Sequence, residues 1–257
     1  MIHNEFDSES KAIINPENNY DKIEGFPKIC IGVFSDTIVN QFINEFGGEV
    51  IAELKYCSGS IPIYKTTIYG TEIAFYVPHV GAPSAASGME EIFARGAKYF
   101  VYFGSCGVLR HDIADGHLIV PSVAIRDEGT SYHYIPAADE IKLDSDCIAI
   151  VEEAMKNLGL PYVKGKTWTT DAFYRETPKK MQRRKEQGCI CVEMECSALA
   201  AVSQFREFKF AEFFYAADNL DAPEWDSRGL DKRGESVADK CMSAAVEIGK
   251  MMKKAFE

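Results

Sequence analysis

Short runs of β-branched and aromatic residues recur along this chain with helical patterns between several of them, which constrains it to an α/β sheet covered by helices on its faces. The strand-like runs are Ile29 to Phe34, Glu72 to Val77, Tyr99 to Phe103, Leu118 to Ile125, Cys189 to Val192 and Phe210 to Ala216. Ser84 to Ala97 carries Met89, Ile92 and Phe93 at helical spacing, and Ser87 with Glu90 three residues on reads as a capping box. Together with its flanking runs it forms a strand-helix-strand unit. Near the C-terminus Val237, Cys241, Ala244, Ile248 and Met252 fall on one helical stripe, with lysines in the last turns where they complement the helix dipole. No repeat or low-complexity tract interrupts the 257 residues, so one domain with an N-terminal extension over 1–25 is expected.

The net charge of −11 argues against nucleic acid as a partner, because binding polyphosphate takes a concentrated cationic face. No run of eighteen apolar residues occurs, and the opening segment is acidic, so a cytoplasmic protein without a membrane partner is expected. The eight cysteines contain no paired CxxC motifs, and the five histidines form no ligand-spaced cluster, so no metal is implied. Seven of the cysteines are expected to be buried thiols. Cys106 is a weak candidate nucleophile, since no histidine pairs with it in the sequence.

Three segments follow expected strands and so lie at the edge where α/β sheets gather ligands. Gly104-Ser105-Cys106-Gly107 reads as a tight turn whose amides and Ser105 hydroxyl can face an anion, or as a plain strand-ending turn. Glu193-Met194-Glu195 places two carboxylates in an apolar strand-to-helix junction. Either a sugar's vicinal hydroxyls satisfy one of them, or both are solvated or cap the helix. Asp218 comes directly after a hydrophobic strand, where it can act as a proton donor or as an Asx-turn residue.

Taken in order, Gly81-Ala82-Pro83-Ser84, the Gly104 to Gly107 segment, Glu128-Gly129-Thr130-Ser131-Tyr132-His133, Thr170-Asp171-Ala172-Phe173-Tyr174, Val192 to Glu195 and Ala217-Asp218 resemble the nucleoside phosphorylase superfamily. The likeness is to its uridine and bacterial purine phosphorylase branch. It implies a single α/β domain around a mixed, partly closed sheet flanked by helices. It also implies homo-oligomers, dimers or hexamers, whose neighbouring chains complete each site. By this resemblance Glu195 accepts hydrogen bonds from the ribose hydroxyls, Met194 packs on the sugar and Phe173 stacks on the base. Glu193, Gly81 and His133 join the substrate site, and Asp218 protonates a departing purine. Gly32, Ser105 and Cys106 fall on the side that holds phosphate, a co-substrate; no cofactor is implied.

The same resemblance marks departures. Phosphorolytic members hold phosphate with arginines in the loop after the first strand, two residues before the Gly-Ser segment, and on a neighbouring chain. This chain has Gly32-Val33-Phe34-Ser35-Asp36-Thr37, Tyr102 and about Ser60 at these places, leaving Arg95, Arg126 and Arg175 as candidates to replace them in space. The Gln and Arg that read uracil are missing after Tyr174. Three readings stay open: a nucleoside phosphorylase, a hydrolase of the same fold with Asp36 as the base for water, and a nucleoside-binding protein without catalysis. The apolar stretch from Ile61 to Tyr69 is expected near a subunit interface.

Overall fold

The computed structural model describes residues 2–9 and 11–257, and among them one mixed sheet carries the fold. Its strands are β1 (Ile29–Val33), β2 (Glu49–Tyr56), β3 (Gly59–Ile68), β4 (Thr71–Tyr76), β5 (Tyr99–Val108), β6 (Leu118–Asp127), β7 (Glu140–Lys142), β8 (Tyr162–Thr170), β9 (Cys189–Glu193) and β10 (Lys209–Asn219). The order is β10-β6-β8-β9-β5-β1-β4-β3-β2, and β10 also pairs with β5. Five strands therefore close into a ring while β1, β4, β3 and β2 extend from β5 as an open wing. This is the mixed, partly closed sheet that the sequence reading expects.

The helices are α1 (Pro16–Asn19), α2 (Asp36–Phe46), α3 (Ala82–Arg95), α4 (Ser145–Asn157), α5 (Pro178–Glu186), α6 (Cys196–Arg206) and α7 (Ala238–Phe256). Alternation along the strands sorts side chains onto two faces. On one, Tyr76, Phe100, Tyr102 and Phe214 pack against α3 and α6; on the other, Val101, Phe103 and Phe213 pack against α2, α4 and α7. Among the described residues no helix is long and apolar enough to cross a membrane.

Several local expectations are corrected. α3 begins after Gly81, with Pro83 in its first turn; Ser87 lies inside the helix and its hydroxyl donates to the Ser84 carbonyl, so no capping box forms. Proline suits a first turn because its missing N–H has no intrahelical partner there. Six of the seven cysteines are buried, but Cys57 is exposed, as it sits in the turn between β2 and β3. The apolar stretch from Ile61 to Tyr69 serves the chain's own core: Ile61, Ile63 and Ile68 are buried, and Tyr69 is the exposed aromatic at its end. The apolar residues of this stretch thus follow strand alternation within one chain.

Candidate functional site

β9 ends at Glu193, and the chain turns through Met194 and Glu195 into α6. Glu193 Oε1 accepts from the Thr167 and Thr169 hydroxyls at 3.1 and 2.7 Å, and Oε2 accepts from the backbone N–H groups of Glu195 and Cys196, each at 2.7 Å. Its expected contact with substrate is therefore corrected: four protein donors occupy this buried carboxyl, and its work is to fix the turn. Thr169 Oγ1 also accepts from the Ser197 N–H at 3.0 Å, and the Ser197 hydroxyl donates to Glu128 at 2.8 Å, which ties α6 to β8 and to the loop after β6.

The turn so fixed presents Glu195, which is 7% exposed, with Met194 half-buried beside it. The Gly81 N–H donates to Glu195 Oε1 at 2.5 Å, joining two separately expected site residues. Burial, reinforced by the neighbouring Glu193, pushes the Glu195 carboxyl up to about 8. A cleft of about 800 Å³ adjoins this end, lined by Pro83, Gly129, Thr130, Asp171 and the exposed His133.

At the other end, β10 delivers the half-buried Asp218, whose Oδ2 accepts from the Trp225 indole N–H at 2.8 Å. Its Oδ1 lies over Gly107, 3.1 Å from where a Cβ would stand on that glycine. The loop after β8 carries Phe173 and Tyr174 with ring centroids 4.1 Å apart, both exposed and free to meet a planar ligand. Within this exposed loop Glu176 is half-buried, and its carboxyl is pushed up to about 7, first by burial and then by the charge of Asp218. Cys106 of β5 pairs in register with Ala216 of β10. Its thiol is pushed well up by burial, then by Cys191, with Asp218 and Glu193 both adding to the effect.

The third side of the site departs most from expectation. Gly104 to Gly107 is no turn: β5 runs through it to Val108, pairing Gly104, Ser105 and Cys106 with Phe214, Tyr215 and Ala216 of β10, and Gly107 with Val192 of β9. Ser105 is half-buried, whereas Cys106 is buried and its thiol points at the Tyr215 carbonyl, 3.7 Å away, so Cys106 is available neither as a nucleophile nor to an anion. Gly32 packs closely on a ring: a Cβ there would stand 2.5 Å from Tyr102. Tyr102 is fully buried, and its hydroxyl shares a 2.5 Å hydrogen bond with that of Tyr76. Beside it, Glu212 is buried in register with Tyr102, with Oε2 unpartnered and its carboxyl pushed well up by burial.

None of the candidate replacement arginines comes to Gly32. Arg126 donates to Ser131 and to the Pro136 carbonyl, Arg95 donates to the Glu53 carbonyl, and Arg175 is exposed on the aromatic loop. Arg233 reaches the first loop instead. Its carbonyl accepts from the Ser35 hydroxyl at 2.6 Å, and its guanidinium holds Asp36 at 2.8 and 2.9 Å. The Arg233 hydrogen bond keeps the exposed Asp36 carboxyl below its ordinary range, so Asp36 is a poor base for water. Sequence reasoning missed Glu176, Trp225 and Arg233. An acid directly after an aromatic loop was a signal for the first; nothing in the linear order pointed to the other two.

The chain matches the family model described as Phosphorylase superfamily over residues 28–257. A guanosine phosphorylase of Halorubrum lacusprofundi is 25% identical over 170 residues, which span 65% of this chain and 68% of that one. A uridine phosphorylase of Thermococcus kodakarensis is 36% identical over 105 residues, 41% of this chain and 38% of that one. Among solved structures, an AMP nucleosidase from Bacteroides thetaiotaomicron shares the fold with a TM-score of 0.74 at 20% identity, covering 93% of this chain and 97% of that one.

Proposed function

Because the chain belongs to the Phosphorylase superfamily, we propose that it cleaves the N-glycosidic bond of a purine nucleoside with phosphate, giving free base and ribose 1-phosphate. One observation supports this reading: a buried carboxyl, Glu195, just past the end of β9 and a half-buried acid, Asp218, at the end of β10 sit on two strands that both pair with β5. Bond cleavage of this kind passes through an oxocarbenium-like state, positive on the sugar and negative on the base. Glu195 accepts the ribose hydroxyls and fixes the sugar, while Phe173 stacks on the base. The C1′–N9 pair leaves with the purine, N7 takes the proton of Asp218, and a phosphate oxygen bonds to C1′ from the opposite face.

For phosphate this chain offers the Ser105 hydroxyl and, beside the first loop, the exposed guanidinium of Arg233, which would exchange its Asp36 partner for the anion. Assembly into a dimer or hexamer, in which a neighbouring copy adds a cation, belongs to the same proposal. The arginines favour a second reading, in which water replaces phosphate, because Arg95 and Arg126 donate to other backbone and side-chain acceptors and Arg175 is exposed on the aromatic loop. Base release from purine and pyrimidine nucleosides, measured with and without phosphate, separates the two: the proposal expects purine release that depends on phosphate.

The state of Glu195 sets a further expectation. With its carboxyl pushed up to about 8 by burial, Glu195 is expected to be mostly protonated at pH 7 in the free enzyme. Ribose hydroxyls donate best to the ionised form, so nucleoside binding releases a proton, and affinity rises about tenfold per pH unit until it levels off above 8. Calorimetric titration at pH 7 in two buffers of different ionisation heat counts that proton. Identical binding heats in both would remove Glu195 as the ionised ribose acceptor.

A further inference from the structure

The structure assigns Trp225 as a positioning residue for the leaving-group acid: its indole N–H binds Oδ2 of Asp218 and so directs the proton-bearing Oδ1 toward the base. The inference rests on the proposed role of Asp218 as that acid.

An indole N–H is a donor with no acceptor capacity. The carboxyl oxygen it faces is therefore the one best left without a proton, which puts the proton on Oδ1. That oxygen lies over Gly107, 3.1 Å from where a Cβ would stand, so only a glycine leaves room for it. Packing does not account for the position of Trp225, because the ring is 64% exposed while its polar atom is engaged by Asp218. The other tryptophan, Trp168, differs: it is fully buried in the core.

The loop that carries Trp225 is tied down at several points. Asn219 and Asp226 exchange N–H···O bonds of 2.8 and 3.2 Å, closing residues 220–225 into a short loop. Asp221 is held by Lys185 of α5 at 2.5 Å and by the His111 N–H at 3.1 Å. Arg228 donates to the Ile113 carbonyl at 2.9 Å. These ties hold the indole N–H 2.8 Å from Asp218 Oδ2.

Trp225→Phe keeps an aromatic ring and removes the N–H. Assayed in the full chain on a purine nucleoside, it is expected to lower kcat about tenfold, the lower end for a lost hydrogen bond to a charged group, with KM unchanged. On a nitrophenyl riboside, whose leaving group needs no proton, it is expected to keep wild-type turnover. Asp218→Asn is assayed alongside. Wild-type purine turnover by Trp225→Phe, with Asp218→Asn crippled, would overturn the inference and leave the acid assignment standing. Equal losses on both substrates, or a change in KM alone, would overturn it in favour of a stacking role. Wild-type turnover by both variants would overturn the acid assignment and the inference with it.

Discussion

Asp218→Asn is expected to lower turnover of a purine nucleoside by about 10²- to 10⁴-fold, the usual contribution of a positioned general acid. A purine departs easily once N7 is protonated, and Asn at this position offers a hydrogen bond but no transferable proton. Asp218 stands at the end of β10, half-buried, and its charge is felt by Glu176. Glu176, pushed up to about 7 by burial and then by the charge of Asp218, is about half protonated at neutral pH. On a nitrophenyl riboside the same variant should lose little, because that leaving group is stable as an anion. Comparing the two substrates measures protonation of the base and little else. Equal losses would return Asp218 to the role of a turn residue.

Glu193→Ala is expected to destabilise the fold by about 2–6 kcal/mol, through the two buried N–H groups of Glu195 and Cys196 that it leaves without an acceptor at roughly 1–3 kcal/mol each. The Thr167 and Thr169 hydroxyls can rotate to other partners, but the two amides are fixed by the turn. Nucleoside cleavage should fall with it, because the same turn aims Glu195. Glu193→Gln should behave differently. Its carbonyl can still accept both amides, and burial already pushes the native carboxyl toward its neutral form. Urea unfolding of the three proteins checks this. An alanine variant as stable as the parent would show that the turn does not depend on Glu193.

The α/β class was legible in the sequence because β1, β9 and β10 are nearly continuous apolar runs, the mark of strands buried on both faces. β8 escaped notice, since its first half is polar and partly exposed and only its last four residues are buried. The hairpin of β2 and β3 was missed for a similar reason. At the site, Glu195 and Asp218 stood out as acids in apolar surroundings, a costly arrangement that calls for an explanation. The linear order could not tell that Glu193 is consumed by four donors while Glu195, two residues on, faces the site. Gly104 to Gly107 misled because glycines suggest a turn, yet here they let Phe34 and Leu220 approach a strand closely: Cβ atoms at Gly104 and Gly107 would stand 2.8 and 2.6 Å from them. Trp225 reaches Asp218 through the short loop after β10, and Arg233 reaches the first loop by long-range folding, beyond any local pattern.

The central claim is that ribose passes from a purine to phosphate. Phosphorus-31 NMR of the enzyme with a purine nucleoside and inorganic phosphate tests it directly. The account predicts a ribose 1-phosphate signal that grows one for one with free base, and no base release when phosphate is left out. Base released at the same rate without phosphate, with free ribose as the sugar product, would contradict it.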